Sequence, residues 1–168
     1  MIAILKALHI SALSVWCAGL ILLPVLMHIY GRRDEMKTQA GFTEFRWLTH
    51  YSYTAVLSPA AVIAVAAGTV LIFALEVLDI WMMAKLVAVA GMVLLHVWLG
   101  HLIVVAGEEH GAFRMPPAGL ALLGIIPLIA LVLWLVLAKP SLDKLTVLLP
   151  AILQEPRGNE IPPGWDPL

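Results

Sequence analysis

Four stretches of this 168-residue chain contain no Asp, Glu, Lys or Arg: residues 7–31, 47–75, 86–107 and 115–138. They are 25, 29, 22 and 24 residues long. Each exceeds the roughly 20 residues that carry a helix across a ~30 Å hydrocarbon layer. Only 12% of the chain is charged, about half the share usual in soluble domains. Mean hydropathy is +0.98. These features exclude a soluble globular enzyme and predict an all-α integral membrane protein with four spans in the lipid bilayer. A net charge of −1 without a basic cluster excludes a polybasic nucleic-acid binder. Cys17 is the only cysteine, so neither an internal disulfide nor a cysteine-based metal or iron–sulfur site is available.

The first apolar run is about twice as long as a signal-peptide core, and no small-x-small cleavage pattern follows it. It reads as a retained helix over residues 2–30, kinked in its last third by Pro24. Residues 31–46 form the most charged loop, with Arg32, Arg33, Asp34, Glu35, Lys37, Glu44 and Arg46. Span 2 runs over residues 51–75 and contains Pro59 and Gly68, which membrane helices tolerate. A short acidic turn at 76–79 leads to span 3 at 80–106. Loop 3 carries Glu108, Glu109, His110 and Arg114, and span 4 opens at Pro116-Pro117 and ends at Lys139-Pro140. Short loops predict an up-down-up-down four-helix bundle over residues 1–140. The tail, 141–168, divides into an apolar interfacial segment at 145–153 and a proline- and glycine-rich arm carrying Trp165. Such an arm is ordered only if a partner holds it. Lys and Arg near the span ends slightly favour the side bearing loops 1 and 3, which puts those loops in the cytoplasm and both termini in the periplasm.

Ionisable side chains in a hydrocarbon layer are costly and face a bundle interior, a cofactor or a water cavity. The spans carry Lys6, His9, His28, Lys85, His96 and His101. His96 lies deepest, about 24 Å along span 3. Lys85 precedes it by eleven residues. Eleven residues are close to three turns, so both occupy one helix face about 16 Å apart. His9 and Trp16, seven apart, share a face of span 1. The Lys85–His96 face should point inward, toward His9.

Two inward imidazoles suit haem iron, with Lys85 as partner for a propionate. Alternatively, His9 and His96 bridge helices by hydrogen bonds. His9 lies only ~10 Å into span 1, so ligation by His96 alone, or two separate sites, also stays open. At the opposite membrane face, His28, His50 and His101 could bind copper or zinc, supply a second haem ligand, or simply suit a wet boundary. The tryptophans read mostly as a membrane belt. Met82, Met83 and Met92 read as packing, as does Cys17.

Leu5-Lys6-Ala7-Leu8-His9-Ile10, then Trp16-Cys17-Ala18-Gly19-Leu20 and Leu23-Pro24, resemble the start of the HemJ/CopD-like membrane protein superfamily. The resemblance continues through Ser58-Pro59-Ala60, Gly68, Lys85-Leu86, Leu95-His96, Gly100 and Lys139-Pro140, over about 140 residues in order. It implies a four-helix haem-b protein of a bacterial inner (plasma) membrane. His9 and His96 match the family histidines, and Lys85 matches its lysine. HemJ-type members, which are protoporphyrinogen IX oxidases, usually continue Leu-Pro-Arg with a His six residues after the Pro. Here Val25 follows Pro24, His28 stands at plus four and Tyr30 at plus six. The missing cation weakens the case for binding a carboxylate-bearing tetrapyrrole substrate.

The leading expectation is therefore a haem-b redox membrane protein, acting in electron transfer or as an accessory subunit of a respiratory oxidase. His96 is its expected axial ligand, His9 the second ligand or inner partner, and Lys85 the charge partner, with Trp16 beside them. The alternative is a HemJ-type protoporphyrinogen oxidase passing electrons to quinone or a respiratory complex. Further alternatives are copper transfer through His28, His50 and His101, and a cofactor-free structural subunit.

Overall fold

A computed structural model describes residues 2–75, 80–108 and 117–138, all but a few of them helical. The expected interfacial segment and proline-rich arm, the 76–79 turn, and His110 and Arg114 of loop 3 lie outside the described residues. Helix α1 is Ile2–Tyr30, and it runs through Pro24 as one helix. Helix α2 is Gln39–Tyr51, α3 is Ser58–Leu75, α4 is Ile80–Glu108 and α5 is Ala118–Ala138. Four helical stretches are long and apolar enough to cross a membrane: α1, the continuous run Gln39–Leu75, Met82–Glu108 of α4, and α5.

The charged segment expected as a loop is largely helical. A 3-10 turn occupies Asp34–Lys37, and α2 starts immediately afterwards. The local reason is Thr38, whose Oγ1 donates to the Glu35 carbonyl (2.7 Å) and accepts from Gly41 N (3.2 Å), capping α2. Phe42, Phe45 and Thr49 then form the buried stripe of an otherwise polar helix. Lys37 donates to Asp34 across 2.6 Å, which holds the Asp34 carboxyl below and the Lys37 ammonium above their ordinary pKa ranges.

Between α2 and α3 the helix widens into a π-turn, Ser52–Leu57, closed by Ser58 N–H donating to the Tyr53 carbonyl. Pro59 accounts for it. Its nitrogen cannot donate, and its ring collides with the carbonyl four residues back, so the helix accommodates an extra residue.

Each helix buries a narrow seam and leaves its other faces to the surroundings. In α1 the seam is Ala12, Trp16, Leu20, Leu23 and Met27; in α4 it is Ala88, Met92, His96, Leu99, Ile103 and Ala106. Large apolar side chains such as Leu94, Phe73 and Leu137 are exposed, as expected of helices solvated by lipid. The face of α3 is built from Ala60, Ala61, Ala64, Ala67 and Gly68, and it packs closely on α1. Small residues permit that approach and so maximise dispersion contact where no hydrophobic force joins helices. His9 meets Ala64 while Gly19 meets Leu57, so α1 and α3 run in opposite directions. α1 also packs on α5, and α5 on α4. α2 touches α4, but beyond the π-turn the backbones of α3 and α4 barely meet.

Candidate functional site

The divergence of α3 from α4 opens a cleft of about 220 Å³. α1 contributes His9, Leu13 and Trp16, α3 contributes Ala64 to Leu75, α4 contributes Met82, Lys85, Leu86 and Val89, and α5 adds Val132. The walls are almost wholly apolar. Thr69 turns its hydroxyl back onto the Val65 carbonyl at 2.9 Å, which leaves the His9 imidazole, the Lys85 amine and the buried Trp16 indole N–H as the wall's remaining polar groups. Two of the lining residues, Val65 on α3 (42% exposed) and Leu86 on α4 (44% exposed), also reach the outer surface.

His9 is fixed by its backbone partner. Its Nδ1 lies 2.8 Å from the Ala64 carbonyl oxygen, which can only accept, so Nδ1 carries the proton. In the neutral imidazole, Nε2 then keeps its lone pair. Metal-ligating histidines are commonly oriented by this kind of second contact. Gly68 makes room for the ring: a Cβ there would come within 2.8 Å of His9 Cε1. Lys85 is half-buried, and no carboxylate pairs with it among the described residues.

His96 lies elsewhere. It is 9% exposed, sits in the α4 seam and is absent from the cleft wall. Tyr53 stacks on its ring, with centroids 4.8 Å apart and planes at 25°. The Tyr53 hydroxyl donates to the His96 main-chain carbonyl at 3.2 Å. Ser58 Oγ and His96 Nε2 share a hydrogen bond of 3.3 Å. Trp16, only 1% exposed, presents an edge to the same ring, with centroids 6.2 Å apart. Trp16 therefore forms one wall of the cleft and one side of the His96 setting, and the two histidines lie in separate environments that meet at this indole. Trp16 Nε1 and His96 Nδ1 are buried without a hydrogen-bond partner among the described residues.

His28, His50 and His101 stand toward the end of the bundle away from His9. His50 and His101 are exposed, His28 is half-buried, and no three His, Cys, Asp or Glu side chains come together to hold a metal among the described residues. Trp16 belongs to the core rather than the belt, whereas Trp47 and Tyr51 stack, exposed, at 5.3 Å. Tyr53, Ser58 and Ala64 are the residues that sequence reasoning did not single out for the site. Ser58-Pro59 carried a usable signal, since a proline in mid-span announces a break in the helix ladder where side chains of the next helix can bond.

The donor set fits a haem group in kind: one oriented imidazole, one unpaired cation and apolar walls. The volume falls below the ~300–1,000 Å³ of small-molecule pockets, so a macrocycle requires α3 and α4 to stand farther apart than here. Comparison with protein families, characterised proteins and solved structures finds no match to this chain.

Proposed function

We propose that this chain is an antiparallel four-span membrane protein of the HemJ/CopD-like kind, binding haem b in the α3–α4 cleft for electron transfer, alone or as an accessory subunit of a respiratory oxidase. The observation that carries the reading is the 2.8 Å contact of His9 Nδ1 with the Ala64 carbonyl, on a cleft wall shared with Lys85. His9 Nε2 is the ligand atom, and the backbone contact fixes the ring's orientation and tautomer. Lys85 holds a carboxylate of the guest, a charge-assisted contact strengthened by the apolar surroundings. Leu13, Ile72, Val89 and Val132 keep water out. Haem bound there supplies one-electron chemistry, with its potential tuned by burial and axial ligation. His96 supports the site from behind Trp16 and is not required as a ligand.

Oxidised and reduced absorption spectra of the purified wild-type protein test this. A reversible haem-b spectrum, lost in His9→Ala but retained in His96→Phe, is expected. A monodisperse, helical and colourless wild-type protein from haem-replete cells overturns it.

A further inference from the structure

We propose that the α3–α4 cleft is also a lateral binding site for long-chain carboxylates drawn from the hydrocarbon layer, with the head group on Lys85. Three observations lead there. Val65 on α3 and Leu86 on α4 both line the cleft and are exposed on apolar helices long enough to span a membrane, so the cleft borders the surface that lipid covers and a guest dissolved in the layer reaches it without crossing water. The lining runs along α3 from Ala64 to Leu75, about 16 Å at helical rise, and is almost wholly apolar, as an alkyl chain requires. Lys85 stands about 8 Å from the start of α4, near the membrane boundary. It has no acidic partner among the described residues.

An ammonium in such surroundings is stabilised by an anion far more than in water, because the local dielectric is low and solvent competes weakly. The complementary guest has an anionic head at the boundary and a saturated tail running inward to Trp16. A neutral alcohol of the same length matches the walls but leaves Lys85 unpaired. A haem propionate and a fatty carboxylate share this chemistry, a carboxylate on an apolar body, so the two guests exclude one another.

Trp16 reports occupancy directly. A full-length variant keeping Trp16 as its sole tryptophan, with the others replaced by Phe, is reconstituted in phosphatidylcholine vesicles and titrated with a chain-brominated long carboxylate. Saturable quenching is expected, about tenfold weaker in Lys85→Gln, restored in Lys85→Arg, and weaker by a similar factor for the brominated alcohol. Equal, non-saturating quenching by acid and alcohol, unchanged in Lys85→Gln, overturns the proposal. Helical circular dichroism of each variant separates loss of binding from loss of fold. A colourless protein that binds the carboxylate through Lys85 removes the haem reading and keeps this one. A pigmented protein whose pigment the carboxylate neither competes with nor displaces keeps the haem reading and removes this one.

Discussion

The His9 ring lies directly on Gly68, at a place where a methyl group on α3 would approach Cε1 to 2.8 Å. The contact links the most extensively packed helix pair among the described residues to the orientation of the imidazole proposed as the haem ligand. Gly68→Ala forces either the imidazole off its Ala64 contact or α1 away from α3. Overpacking of this kind costs about 1–3 kcal/mol. The expected result is a lower Tm in detergent together with a ring nitrogen NMR shift at His9, whereas Gly119→Ala, with open space around it, changes neither.

The two buried histidines should separate in their effects. His9→Ala removes a half-buried ring from a cleft wall and should leave the fold stable while abolishing binding. His96→Ala removes a ring packed between Tyr53 and Trp16 together with its hydrogen bond to Ser58, a cavity-forming change of about 2–4 kcal/mol. Denaturation in mixed micelles should therefore rank His96→Ala well below His9→Ala in stability.

Gly100 faces the Tyr53 hydroxyl so closely that a Cβ there collides with it. Tyr53→Phe keeps the ring stack and loses the hydroxyl's contacts with the His96 carbonyl and the Ser58 side chain, at about 0.5–1.5 kcal/mol for each hydrogen bond. Gly100→Ala alone should cost more, and the double variant should be more stable than the sum of the singles by at least about 0.5 kcal/mol. Strict additivity in a double-mutant cycle would show that the hydroxyl does not set this helix spacing.

At the loop end, the Asp34–Lys37 pair is fully solvated, so its removal should have little effect despite its short distance. The sign of the pH dependence still follows from the shifts. Asp34, held below its ordinary range, contributes above its unfolded pKa and loses that contribution as pH falls through its folded pKa. Lys37, held above its ordinary range, loses its share as pH rises through its folded value. Asp34→Asn should thus flatten a small acid-side slope in Tm and leave the neutral value nearly unchanged.

Charge-free length and heptad spacing are local properties, and they settle the four apolar helices, including the start and end of α1. They also place Lys85 and His96 on the inward side of α4 without knowledge of any neighbour, because the cost of exposing them to lipid does not depend on which helix covers them. The helical character of residues 39–51 is harder to see, since charge masks a short buried stripe, Phe42, Phe45 and Thr49, whose partner lies on another helix. What lies opposite each inward residue is not a local property. Only tertiary packing puts His9 on Ala64 and Gly68, seats His96 behind Trp16 rather than across from His9, and keeps His28, His50 and His101 apart. The deciding features are the small-residue face that draws α3 onto α1 and the Pro59 π-turn, past which α3 leaves α4. Both act through backbone separation between distant segments, a quantity that residue periodicity along one helix does not encode.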